Sequence, residues 1–179
     1  MNIQEDGIQM FHIKDENCAA PAYIDSADFS DERMLIIEDL NDIGYPLRKS
    51  AVDLSEIKSC LKWLAAFHAN FMHVEPEGLW DKGSYWYLQT RMDEYEAMQD
   101  EELKNVAFEI DRILDNCQYK TIIHGDAKLA NFCFSEDGQS VAAVDFQYVG
   151  KGSGMKDVAY FLSSCLTEDQ LIQNEQNLF

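Results

Sequence analysis

The side chains best suited to chemistry lie in the run His124-Gly125-Asp126-Ala127-Lys128-Leu129-Ala130-Asn131 and in the triplet Asp145-Phe146-Gln147. Asp126 stands on a loop after the β-rich Thr121-Ile122-Ile123, and Asn131 follows five residues later. Asn131 to Phe134 and Val141 to Val144 read as two short strands, with Ser135-Glu136-Asp137-Gly138 as the turn between them. The return strand ends at Asp145, so the hairpin folds that carboxylate back beside Asn131. A carboxylate and an amide oxygen then face a common point, with Asp126 close by. Hard oxygen ligands of this kind suit Mg²⁺, which binds few protein groups and keeps water and phosphate oxygens. Asp126 is left to accept a proton from an attacking hydroxyl. Phosphoryl transfer asks for this combination, because positioning and charge neutralisation dominate its catalysis.

The elements that must hold these residues can be read outward from them. Residues 21–33 are polar and predict a turn or weak strand edge, while Met34-Leu35-Ile36-Ile37 predicts a buried strand. Asn41, Asp42, Gly44 and Pro46 supply turn chemistry. Asp53 is an N-cap, after which Leu54, Ile57, Leu61, Leu64, His68 and Phe71 recur at helical spacing. Residues 79–100 mix aromatics with acids and carry no clear period. A helix near 101–117 is expected to bury Leu103, Val106, Ile110, Leu114 and Cys117. From Asp157 the set Val158, Phe161, Leu162 and Cys165 is helical again, and Thr167 with Gln170 fits a capping box for a last helix.

His124-Gly125-Asp126 with Asn131, followed by Asp145-Phe146-Gln147, resembles the kinase catalytic loop and metal motif. Gly125 and Gln147 stand where protein kinases have Arg and Gly. These substitutions, and Gly154-Met155-Lys156-Asp157-Val158-Ala159, are similar to the aminoglycoside phosphotransferase and choline kinase (ecdysteroid kinase-like) family. The resemblance implies an α+β, protein-kinase-like fold, mostly the helical C-lobe with a remnant of the N-lobe sheet and hinge. Residues 1–40 are that remnant and residues 41–179 the C-lobe. Leu35-Ile36-Ile37-Glu38-Asp39-Leu40 looks like the last N-lobe strand and hinge, which implies that Glu38, Asp39 and Leu40 meet the adenine of ATP through backbone groups. Leu64-Ala65-Ala66-Phe67-His68-Ala69 looks like the first long C-lobe helix. The implied roles are base for Asp126, Mg²⁺ ligands for Asn131 and Asp145, and a tie for the catalytic loop at Asp157. Lys128 is either a phosphate contact or a solvated loop lysine, and His124 is a brace. The family's Gly-rich loop and strand Lys are not found upstream, so the resemblance implies a piece of a longer enzyme.

Composition narrows the partners. With 33 acidic against 14 basic residues the net charge is −19, which repels nucleic acid. The acidity serves solubility and also suits a cationic small-molecule substrate. Cys18, Cys60, Cys117, Cys133 and Cys165 are odd in number and widely spaced, which fits a reducing cytoplasm better than a disulfide framework or a zinc site. No apolar run approaches the ~20 residues a membrane span needs. Trp80, Tyr85, Trp86 and Tyr87 read as packing surface or as an aromatic wall for a cation. The expected function is ATP- and Mg²⁺-dependent phosphorylation of a small-molecule hydroxyl. A protein kinase is disfavoured by Gly125 and by the absence of an A-P-E segment. A catalytically silent binding module that keeps the fold is the other alternative.

Overall fold

The computed structural model describes residues 17–30 and 32–178. Strands β1 (Tyr23–Phe29) and β2 (Glu32–Ile37) form an antiparallel ribbon. The apolar run in β2 is a strand, as its residues predict, but it is not buried: Met34, Ile36 and Ile37 are 46%, 40% and 44% exposed. No third strand joins the ribbon among the described residues, so neither face gains a cover. The polar stretch before it is the partner strand β1. Residues 1–16 of the expected N-lobe remnant lie outside the described residues.

After the turn at 39–46, β3 (Leu47–Arg48) leads into α1 (Leu54–Asn70). Asp53 caps α1, and Glu56 completes a reciprocal capping box by accepting from the Asp53 amide, an arrangement that satisfies two otherwise orphaned amides. The face predicted from its spacing is buried in part: Ile57, Leu64 and His68 are inside, Leu61 and Phe71 are half-buried and Leu54 is 39% exposed, while Cys60, Trp63 and Phe67 are buried beyond the predicted set. Trp63 stacks on Phe67 at 5.0 Å and meets Phe132 edge-on at 5.7 Å, the offset and edge geometries that aromatic quadrupoles favour.

Residues 79–100 hold a 3₁₀ turn at Leu88–Thr90 and a short helix, α2 (Met92–Ala97). Helix α3 (Glu101–Asp115) is where the sequence predicts it, capped by Asp100. Its apolar stripe is not buried: Leu103, Val106 and Ile110 are 43%, 46% and 41% exposed. The helix is attached instead by its polar side, through Asp111 and Asp115 to Lys82 and Asp111 to Gln89. Periodicity identifies the amphipathic stripe, but the cover must come from another element.

Strand β4 (Thr121–Ile123), β5 (Phe132–Phe134) and β6 (Val141–Ala143) follow, with β7 (Gly150–Gly152) pairing back on β4. The sheet order β3-β5-β6 contains the expected hairpin. Asn131 belongs to a 3₁₀ turn at Leu129–Asn131 just before it. Helix α4 (Gly154–Cys165) begins three residues before Asp157, and α5 (Glu168–Leu178) starts at the Thr167–Gln170 box. Among the described residues no helix is long and apolar enough to cross a membrane. The whole is a mixed, protein-kinase-like α+β fold with a helical body and small sheets.

Candidate functional site

The loop after β4 is buried, although its residues are polar: His124, Asp126 and Asn131 are 0%, 3% and 6% exposed. Polar groups taken out of water need partners, and α4 supplies them. The Asp157 carboxylate accepts the His124 amide at 2.7 Å and the Gly125 amide at 2.9 Å. Its Oδ2 also accepts from His68 Nε2 at 2.9 Å. Helix α1, the loop and α4 are thus joined at one carboxylate. Gly154 allows the approach, since a Cβ there would stand 2.6 Å from His68 Nδ1.

His124 braces the loop from within. Its Nε2 faces the Val144 carbonyl at 3.0 Å and so carries the proton, leaving Nδ1 to accept the Asp126 amide at 3.3 Å. Burial holds the ring well below the usual histidine range, against the opposite pull of Asp157, so it is neutral. Phe146 lies on the ring at 4.7 Å. Gly125 has φ +82°, and a Cβ would meet the Tyr148 carbonyl at 2.2 Å. The residue that separates this loop from that of protein kinases is therefore required by the backbone that crosses it.

Asp126 and Asn131 are brought together. The Asn131 amide nitrogen donates to the Asp126 carbonyl at 2.8 Å and to Asp126 Oδ2 at 3.1 Å. Lys128 Nζ donates to the same Oδ2 at 2.7 Å, and this pairing holds the lysine above its ordinary range. The Lys128 side chain is 38% exposed while it sits on this carboxylate. The Val144 amide donates to the Asn131 carbonyl at 3.0 Å, which pins the start of Asp145 beside Asn131. Asp145 is exposed, with φ +68°, a left-handed conformation that costs a non-glycine residue of the order of 1 kcal/mol or more.

The donor set fits a hard cation. Asn131 turns its nitrogen to Asp126, so its oxygen points away, and neither that oxygen nor the Asp145 carboxylate has a hydrogen-bond partner among the described residues. Among those residues no group of three or more His, Cys, Asp or Glu could hold a metal alone. One carboxylate and one amide suit an ion that keeps most of its ligands from water and phosphate.

At the expected hinge, Leu40 is buried, Glu38 half-buried and Asp39 exposed. The Glu38 amide donates to the Ala22 carbonyl, and the Asp39 and Leu40 carbonyls accept within the following turn. The Glu38 carbonyl and the Leu40 amide have no partner among the described residues.

The aromatic group does not form one wall. Trp80 donates to the Gln147 carbonyl, Tyr87 lies under Lys82, and Trp86 donates to Glu94. Tyr85 turns to the loop, packed on Tyr148 and Tyr160, and it accepts from the Tyr160 hydroxyl at 3.1 Å. Burial first, then Tyr85 and Asp126, raise the Tyr160 phenol above its ordinary range. The sequence reading missed Tyr160, although its place one turn beyond Asp157 on a buried helix could have found it.

A profile of the ecdysteroid kinase-like family matches residues 82–179, more than half of the chain. No curated protein matches. Among solved structures the chain is similar to an aminoglycoside-3′-phosphotransferase of type VIII, with 16% identity and a TM-score of 0.57, over 98% of this chain and 65% of that one. It is similar to an amicoumacin kinase in complex with AMP-PNP, Ca²⁺ and Ami, with 10% identity and a TM-score of 0.60, over 99% and 59%. It is also similar to a choline kinase from Streptococcus pneumoniae, with 17% identity and a TM-score of 0.56, over 100% and 62%. The chain spans less than two thirds of each of these three chains, and the likeness is one of fold.

Proposed function

Since this chain belongs to the ecdysteroid kinase-like family, we propose that it carries the phosphoryl-transfer centre of an ATP- and Mg²⁺-dependent kinase whose acceptor is a small-molecule hydroxyl. The observation that carries the reading is the Asp126 carboxylate. It is buried on a loop tied at both ends and held at one oxygen by Lys128 and Asn131. A base fixed in this way meets an incoming hydroxyl without reorganising.

ATP with Mg²⁺ supplies, when bound, the transferable phosphoryl group and much of the charge neutralisation its transfer needs. Asn131 Oδ1 and the Asp145 carboxylate are the groups that hold the metal. The Glu38 carbonyl and Leu40 amide offer one acceptor and one donor to the adenine edge. Asp126 accepts the proton of the acceptor hydroxyl on its second oxygen, since Oδ2 is already engaged. Lys128 sets a cation beside the reacting oxygens, where it offsets negative charge that grows during transfer. The β1–β2 ribbon and the hinge after it belong to the nucleotide-binding lobe, and residues 41–178 to the catalytic one. Five cysteines without a disulfide suit a cytoplasmic setting.

The test is incubation with Mg-ATP and a panel of hydroxylated small molecules, read by ADP release and by ³¹P NMR of the phosphate monoester. A monoester formed by the native chain and lost in Asp126→Asn supports the reading. ADP release unchanged in Asp126→Asn removes Asp126 from the mechanism.

A further inference from the structure

Beside the catalytic loop lies a groove of about 500 Å³ that the nucleotide-side residues do not use. Gly125 lies in its wall, Tyr85 and Trp86 line one side, and Lys156, Tyr160 and Ser163 line the other from α4. The last three are spaced four and three residues apart, one face of a helix. Tyr160 reaches from this face to the Tyr85 hydroxyl, and Gly125 in the wall is the residue just before the proposed base, so the groove borders the catalytic loop. It is the space an acceptor would fill.

Lys156 is the informative member. It is half-buried, and among the described residues its ammonium makes no salt bridge, hydrogen bond or cation–π contact. That is unusual in a chain with 33 acidic residues. Its neighbours are otherwise committed. Lys82 holds Asp111 and Asp115 at 3.3 and 2.7 Å. Asp157, the only acid in the groove wall, is spent on two amides and His68. Lys156 also stands in the first turn of α4, where the helix dipole favours an anion over a cation. Burial and Lys82 both disfavour its charge, more than Asp115, Asp111 and Asp157 restore it. A cation kept at such a place is stabilised when an anion arrives.

We infer that the groove takes an acceptor whose hydroxyl-bearing apolar body lies against Tyr85, Trp86 and Tyr160 and whose carboxylate is read by Lys156. The inference rests on the kinase reading for the word acceptor, and it names the opposite charge from the one the chain's acidity suggests. A cationic ligand would find no uncommitted carboxylate in the groove wall and would have to approach Lys156 itself. The apolar body is held by burial of flat surface against aromatic rings, and the acid end gives the orientation that turns the hydroxyl to Asp126.

Three probes with one shared body decide it: 4-hydroxyphenylacetate, 4-hydroxyphenylacetamide and tyramine. Each is titrated into the chain without nucleotide and followed by saturation-transfer NMR. The carboxylate is expected to bind ~10-fold more tightly than the amide, as a charge-assisted hydrogen bond would give, with tyramine weakest. Lys156→Gln erases the preference and Lys156→Arg keeps it. A carboxylate that binds no better than the amide or not at all, a preference for tyramine, or a preference untouched in Lys156→Gln overturns the inference. No phosphate moves in this experiment. A groove that prefers the acid in a protein without ATP turnover therefore counts against the kinase reading alone, and a working kinase whose groove prefers tyramine counts against this inference alone.

Discussion

Replacing Asp157 with Ala tests how the catalytic loop is held, and it needs no substrate. The carboxylate receives three donors, the His124 and Gly125 amides and His68 Nε2, at 2.7, 2.9 and 2.9 Å. All lie in the interior, with the Asp157 side chain 2% exposed. Alanine leaves three buried donors facing a void. Each unsatisfied group costs about 1–3 kcal/mol, and partial relaxation brings the sum to roughly 3–5 kcal/mol, the usual result of breaking a buried charged cluster. For a chain of this length that lowers the melting temperature by roughly 6–20 °C. Asp157→Asn keeps one acceptor oxygen and turns an NH₂ toward the other donor, so about half the loss is expected. Urea denaturation followed by circular dichroism gives the energies, and amide hydrogen exchange at His124 and Gly125 gives the location. Ser163→Ala, on the exposed side of the same helix, is the reference and should stay within ~0.5 kcal/mol. A loss below ~1 kcal/mol for Asp157→Ala, or unchanged exchange at the two amides, refutes the tie.

Gly125→Ala forces a side chain onto the Tyr148 carbonyl at a positive φ, and a loss of at least ~2 kcal/mol by the same denaturation assay is expected. His124 is held neutral by burial, its folded value below the free histidine value of 6.5. The unfolded state then binds more protons as pH falls from about 6.5 toward the folded value, so stability present above that window is lost across it. Melts at pH 7.5 and 5.5 should show this loss in the native chain and a smaller one in His124→Asn. Asp126→Asn should lower turnover by ~100-fold or more while leaving nucleotide affinity nearly unchanged, as loss of a general base does, checked by ADP release and calorimetry.

The legible parts of the fold were those whose signal is local. Asp53 and the Ile57–Leu64–His68 spacing define α1, and the turn at 135–138 defines the β5–β6 hairpin. The site was legible for the same reason, because Asp126, Asn131 and Asp145 are placed by one loop and one hairpin. Burial was not legible where it depends on a second element. The Met34–Ile37 run and the Leu103–Val106–Ile110 stripe have the pattern of buried surface, yet they are 40–46% exposed among the residues measured, because nothing described lies over them. Contacts across long separations were equally hidden. Nothing in residues 84–86 announces that Tyr85 meets Tyr160, or that Ser84 donates to the Tyr148 carbonyl at 3.1 Å. Lys128 shows a third limit, since spacing put a cation near the base but not on its carboxylate.

The central claim is that Asn131 and Asp145 hold a divalent cation beside Asp126. Two carboxylates near one point in a chain of net charge −19 repel each other without such an ion. A cation that binds only the folded site at ten times its dissociation constant adds ~1.4 kcal/mol, a rise of roughly 3–6 °C in melting temperature. The measurement is a thermal melt with and without Mg²⁺ or Mn²⁺, at constant ionic strength because screening alone would stabilise so acidic a chain. The native chain and Glu101→Gln, altered at the remote start of α3, should show the rise, larger with Mn²⁺, and Asp145→Ala should show none. A full metal response retained in Asp145→Ala would contradict the site and leave the phosphoryl-transfer reading without its metal.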